Sequence, residues 1–405
     1  MEPESSSRKL ELRFIQLYFW MYWMLFINGT YLNLFLKREV GLTGTQIGML
    51  AGTLSISSML LTPLIGIRFD HSKHRPAFLA ALALLAGAAF CTYSTPVPWW
   101  ALLPVAVVFA CGWPPIIPLV DTIASSEHVT SASKRGYGGY RRWGTVGFAA
   151  AGAMAGQLTG WWGIRAIFPA YAACAVAVAW LLRGIPDRAA AGHHAIEESG
   201  RIPHPRDVLE LLRMPNFRRF LAVVLFSTIG SVACYQFRAI YLSSIGLSDT
   251  AIGRLTLLII PGEVVCFTYA ARWQRRFGTG PLVMTGLILA GIRWISLGYV
   301  RIPALYAVEL LHGIGFAMYQ PAAIAFVQRE APPRLRGTAQ ILFFSTAAGL
   351  GGAVGSMIAG RIYDALGMRA VLWWGGSLLI IGGLLQLLLV RHHRPQAEPL
   401  SEARP

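Results

Sequence analysis

The chain reads as an all-α membrane protein: twelve transmembrane helices arranged as two parallel six-helix repeats. Three observations predict this. Of 405 residues, 55% are hydrophobic and only 13% are charged, against about 25% charged in soluble domains. Long, almost uncharged windows recur along the chain, each near the roughly 20 apolar residues that a 30 Å hydrocarbon core requires. One decapeptide also occurs twice: Gly41 to Leu50 reads GLTGTQIGML and Gly246 to Leu255 reads GLSDTAIGRL, identical at six of ten positions. The windows are continuous rather than alternating, which excludes a lipid-spanning β-barrel and leaves helices as the way to satisfy backbone hydrogen bonds in lipid.

The predicted spans are 12–36, 44–67, 77–95, 99–125, 142–160, 165–183, 217–243, 249–271, 281–299, 303–328, 337–360 and 369–390. Residues 1–183 form the first half, 184–216 a linker, 217–390 the second half and 391–405 a tail. Each decapeptide opens the second helix of its half, and Gly163/Arg165 recur as Gly367/Arg369 between the fifth and sixth. The halves are therefore parallel repeats, a plan that places a site between them near the bilayer midplane.

A net charge of +16 would suit a nucleic-acid partner if the basic residues shared one soluble face. They punctuate the apolar runs instead, so no nucleic acid is expected. With the N-terminus inside, most of the 35 Lys and Arg fall on cytoplasmic segments, which puts both termini in the cytoplasm of a multi-pass protein of the plasma (inner) membrane. The first span lacks the cleavage site of a secretory signal and is expected to stay. Cys91, Cys111, Cys174, Cys234 and Cys266 show no C-x-x-C spacing and read as core thiols. In the linker, His193, His194 and His204 stand without ligand-spaced carboxylates, so no metal is expected. Pro205 to Arg213 reads as a short amphipathic surface helix. Gly152, Gly156 and Gly160, and likewise Gly351, Gly355, Ser356 and Gly360, follow the small-x-x-x-small spacing of closely packed membrane helices. A dinucleotide loop would need a strand before it, and neither H-E-x-x-H nor G-x-S-x-G occurs, so an enzyme is not expected.

A charge inside a bilayer costs roughly 2.5 to 3.5 kcal/mol even on lenient scales, so each one present is paired, faces a cavity or functions. Glu263, Arg293 and His312 fall roughly 15 to 21 Å from one face, close to the middle. Glu263 follows Pro261 and Gly262, a pair that breaks the helix where binding sites form. The residues leave two readings open: a buried Glu263–Arg293 ion pair, or a substrate and proton site. Glu309 lies one turn from His312, spaced for sharing a proton. Arg238 either attracts substrate or snorkels outward. Asp121, beyond Pro114, Pro115 and Pro118, and Arg141 at the start of the fifth helix read as an ion-paired inner gate. Trp20, Tyr22, Trp23 and Tyr31 in the first helix, with Tyr235 and Phe237 in the seventh, are candidates to stack an aromatic solute.

Between the second and third helices, Gly66-Ile67-Arg68-Phe69-Asp70-His71-Ser72-Lys73-His74-Arg75 resembles the major facilitator signature G-x-x-x-D-[RK]-x-G-[RK]-[RK]. Gly66, Asp70 and Arg75 match, while His71 and Lys73 depart from it. The resemblance implies that Asp70 latches to the neighbouring half on the cytoplasmic side. Pro118-Leu119-Val120-Asp121, Tyr137-Gly138-Gly139-Tyr140-Arg141-Arg142-Trp143-Gly144, Ala239-Ile240-Tyr241, Gly262-Glu263-Val264, Arg293-Trp294 and Leu311-His312 resemble the phenylpropionate permease group. That group is similar to the lactose permease and nucleoside proton symporter branches. The resemblance implies proton-coupled uptake of a small organic, possibly aromatic, acid by alternating access, with a sugar or nucleoside symporter, or a receptor that does not transport, as the alternatives. It further implies no cofactor beyond the proton as coupling ion, a small-molecule substrate and a monomer in the lipid bilayer. By the same resemblance Asp121, Arg141, Glu263, Arg293 and His312 match polar positions that handle substrate and proton. Lactose permease carries its proton-bearing Glu one turn after the His, where this chain has Gly315.

Overall fold

The computed structural model describes residues 2–125, 136–186 and 204–391. These residues are helices joined by short turns, with no strand among them. Sixteen α-helices run in chain order: α1 Glu2–Arg38, α2 Gly44–Asp70, α3 Arg75–Thr92, α4 Leu102–Gly112, α5 Ile116–Ala124, α6 Gly136–Trp162, α7 Ile167–Arg183, α8 Pro205–Arg213, α9 Pro215–Ser244, α10 Asp249–Leu255, α11 Ile259–Phe277, α12 Thr279–Leu297, α13 Ile302–Glu330, α14 Arg336–Phe344, α15 Gly352–Leu366 and α16 Met368–Arg391. Among the described residues nine segments are long and apolar enough to cross a membrane, or ten when the bent α10–α11 pair counts as one. Two expected spans, 12–36 and 142–160, do not join that count although both form helices. The first is rich in aromatic and polar side chains and the second in glycine, which lowers the hydropathy of both. In α1, Phe14, Tyr18, Met21, Ile27 and Tyr31 are fully buried.

The repeats are visible in the backbone. Gly41 and Gly246 open the decapeptides at φ 74° and 94°, and Gly163 and Gly367 sit at 77° and 79°. Those left-handed turns exclude most side chains, which is why glycine stands at each repeated position. Two residues after each decapeptide opens, a hydroxyl caps the coming helix: Thr43 accepts from the Gln46 amide in a reciprocal capping box, and Ser248 accepts from Ala251. The proline cluster at 114–115 separates α4 from α5. In α10–α11, the stretches Asp249–Glu263 and Thr268–Phe277 meet at 52°, with Pro261 and Gly262 just before the bend, as a broken helix there requires. A π-helical stretch, Ser345–Gly351, joins α14 to α15.

The halves meet at the end of the bundle remote from the chain termini. There α2 lies against α15, and a Cβ on Gly44 would sit 2.8 Å from the Gly360 carbonyl oxygen. In the repeat-related position α6 lies against α10, where a Cβ on Gly156 would sit 2.7 Å from the Asp249 carbonyl oxygen. Polar contacts reinforce this distal seal. Asp364 Oδ1 accepts from the Gly44 amide at 2.7 Å, while Oδ2 accepts from the Thr45 amide and hydroxyl, both at 2.7 Å. Arg38 donates to both Asp249 oxygens at 3.0 and 3.1 Å and to Ser243 at 2.7 Å. The Tyr31 hydroxyl donates to the Asp249 carbonyl at 2.9 Å, and Thr250 donates to Gly156 at 2.9 Å. No contact of comparable extent joins the halves at the terminal end among the described residues. The space between the halves is thus sealed distally.

The amphipathic helix forms as expected. His204 caps α8 by accepting from the Arg206 amide at 3.2 Å, Leu211 is fully buried, and Arg334 ties Glu210 at 2.6 Å to the start of α14. His193, His194 and most of the expected linker and tail lie outside the described residues.

Candidate functional site

Glycines decide which side chains come together. A Cβ on Gly144 would lie 2.7 Å from the Tyr22 ring, so α6 can press against α1 only because that position is bare. One turn earlier, the Arg141 guanidinium rests over the same ring, 4.5 Å from its centroid. In the second half, α11 crosses α13 backbone to backbone at Gly262 and Gly313, where a Cβ on Gly262 would stand 3.3 Å from the Gly313 Cα. The residues beside these two glycines, Glu263 and His312, are therefore held at one depth. The Arg141 cation of the first half acts electrostatically on the Glu263 carboxylate of the second. Both groups are half-buried, one in each half.

Behind them lies a buried charged triad. Glu309 accepts from Arg293 Nη2 at 2.7 Å and from Arg238 Nε at 3.1 Å. Glu309 is fully buried, Arg293 is 1% exposed and Arg238 7%. Arg293 also stacks on Trp294, 4.0 Å from the ring centroid, and Tyr235 meets the other ring edge-on at 4.9 Å. The Tyr235 hydroxyl lies 2.7 Å from a ring nitrogen of His312. A continuous series of contacts thus runs from the triad through Trp294 and Tyr235 to His312.

Four sequence expectations change here. Glu263 and Arg293 do not pair: the cation acting on Glu263 is Arg141, and Arg293 is taken up by Glu309. Glu309 does not share a proton with His312, since both its oxygens are occupied by arginines, and His312 turns to Tyr235. Arg238 does not snorkel outward, because an internal carboxylate offers a desolvated partner. Asp121 and Arg141 do not form an ion pair among the described residues: Asp121 accepts from the Tyr18 hydroxyl at 2.5 Å, while Arg141 takes the Tyr22 ring. Of the candidate aromatic groups, Tyr31 belongs to the distal seal and Phe237 stacks on Tyr363 at 4.9 Å inside its own half. Trp23 is 6% exposed. Trp20 and Tyr235 keep accessible surface.

In the loop after α2, Arg75 donates to the Asp70 carbonyl at 3.0 Å and lies over Phe69, so the motif residues brace their own turn. Nothing lies within 4 Å of a Cβ built on Gly66. Gly315 packs against α12, a Cβ there standing 3.1 Å from the Gly286 carbonyl oxygen. Any side chain at this crossing would need α12 to shift by a few tenths of an ångström, which suits the glycine that stands where lactose permease has its glutamate. Sequence reasoning missed Asp364 and the Arg38–Asp249 pair; the one available signal was that Asp249 and Asp364 are acidic residues beside repeated glycine turns.

A model of the MFS_1-like family matches residues 12–373. The chain is 26% identical over 371 residues to the maltose permease of Geobacillus stearothermophilus, covering 91% of each. It is 28% identical over 344 residues to the probable 3-phenylpropionic acid transporter of Escherichia coli (strain K12), covering 83% of this chain and 86% of the relative. The nucleoside transporter NupG superposes with a TM-score of 0.76 at 16% identity, covering 95% of this chain and all of that one.

Proposed function

Since the chain belongs to the MFS_1-like family and is a transporter of that type, we propose that it is a twelve-span carrier that takes up a small, preferably aromatic, organic acid together with a proton by alternating access. With both termini in the cytoplasm, the distal seal faces outside and the structure is open inward. The observation that supports the reading is the Arg141–Glu263 opposition between halves. While Glu263 is ionised it neutralises Arg141. A proton on Glu263 removes that charge and releases Arg141 for a solute carboxylate, which its fork can hold in two hydrogen bonds. Loaded and empty carriers then bear the same charge, so acid and proton move together. Trp20 and Tyr235 offer ring faces to the hydrophobic part of the solute.

His312 positions Tyr235, and the triad holds α9, α12 and α13 in register. One chain carries both halves of the site, so a monomer in the bilayer suffices, and no cofactor is needed. A second reading, a sugar–proton symporter, draws on the likeness to maltose permease over most of the chain. Uptake of radiolabelled 3-phenylpropionate, maltose and uridine into proteoliposomes, with and without an inward proton gradient, tests these. Gradient-dependent accumulation of the acid alone supports the proposal; accumulation of maltose alone replaces it with the second reading.

A further inference from the structure

The charges of the triad do not cancel. Arg238 and Arg293 bring two positive charges to a single carboxylate, Glu309, and all three side chains are at least nine-tenths buried. Glu309 uses both oxygens, one for each arginine. Three buried N–H positions, Arg238 Nη2, Arg293 Nε and Arg293 Nη1, have no acceptor among the described residues. An excess charge in a membrane interior is costly, and a buried donor without an acceptor adds to that cost. The Trp294 face under Arg293 offsets part of the charge but accepts none of these hydrogen bonds in the plane of the guanidinium.

We propose that the Arg238–Glu309–Arg293 triad is a binding site for a single small inorganic anion of the halide class, which completes the charge balance of the second half. A halide supplies one negative charge and accepts N–H groups without a preferred plane, so it can take Arg238 Nη2 together with one of the two Arg293 donors, which lie on different edges of that guanidinium. The groups are 1% to 7% exposed, so a monatomic ion needs less displacement of α9, α12 and α13 to reach them than a solute built on carbon. The site is distinct from the Arg141–Glu263 pair and does not rest on the identity of the transported solute. Through Trp294 and Tyr235 its occupancy bears on His312.

The test uses the full chain purified in detergent, melted in sodium chloride or sodium gluconate at equal ionic strength, with sodium bromide as a third salt. Chloride and bromide should raise the Tm saturably by about 2 °C or more relative to gluconate. Arg238→Gln leaves one arginine for one glutamate and should remove that dependence. Should this variant not fold, bromide-soaked crystals of the unaltered chain should show an anomalous peak in contact with Arg293. Equal melting in all three salts, a full chloride effect in Arg238→Gln, or no bromide at Arg293 would each overturn the proposal. So would stabilisation by 3-phenylpropionate but not chloride that Arg238→Gln abolishes, which would assign these donors to the solute carboxylate.

Discussion

Replacing Asp364 with alanine should open the distal end. The carboxylate accepts three hydrogen bonds at 2.7 Å from Gly44 and Thr45, at the amino-terminal end of α2 where unpaired amides and the helix dipole favour an anion. Loss of a capping acceptor costs about 0.5 to 2 kcal/mol and loss of the dipole interaction roughly 0.3 to 1 kcal/mol. Asp364 is exposed, so the lower halves of those ranges apply to each term and the sum is about 1 to 2 kcal/mol. Because the contacts exist only while the seal is closed, that sum shifts the closed-to-open ratio by about 5- to 30-fold. Arg38 with Asp249, and Thr250 with Gly156, remain, so opening should be partial. Spin labels at Trp162 and Leu366, exposed positions on opposite halves at this end, report the change as a distance distribution in a background without the five native cysteines. The unaltered chain should give one short distance and Asp364→Ala a second, longer one. An unchanged distribution would refute the assignment of Asp364 to the seal.

Arg141→Gln should lower acid uptake at least about tenfold, the worth of one charge-assisted contact, and spare a neutral solute, as initial rates with each will show. Arg293→Lys should reduce both alike, because Arg293 is shielded from the space between the halves. Glu309→Gln leaves two buried arginines without their counter-charge and should cost about 3 to 5 kcal/mol of stability, seen as a large fall in Tm in detergent. Gly48→Val should push α2 off the Ser356 carbonyl and populate the same open distal state as Asp364→Ala in the spin-label assay.

Composition and run length were enough to place most helices, because lipid imposes a single strong constraint on every residue of a span. The expected spans 12–36 and 142–160 also form helices, but their aromatic, polar and glycine content leaves them less apolar than the other spans. The repeated GL turns were legible because a positive φ admits few residues, and they led to parallel halves. Depth along each helix selected Glu263, Arg293 and His312; Arg293 is buried, and so is Glu309, one turn from His312, while Glu263 and His312 are half-buried. Depth carries no information on azimuth, so it did not tell that Arg293 and Arg238 turn toward Glu309, or that Glu263 turns toward Arg141. That choice depends on bare positions such as Gly144 and Gly313, which set which helices touch. Asp364 escaped notice for a related reason: its partners are backbone amides 319 and 320 residues away, and a backbone amide leaves no mark in a sequence.

Proton movement coupled to the solute tests the Arg141–Glu263 exchange most directly. Proteoliposomes loaded with a pH-sensitive dye, at equal pH on both sides, receive 3-phenylpropionate outside, and protein-free liposomes measure passive entry of the neutral acid. The account predicts internal acidification faster than in protein-free liposomes for the unaltered chain, and none above that background for Glu263→Gln, which should still exchange labelled for unlabelled acid. Acidification by Glu263→Gln at the rate of the unaltered chain would contradict it.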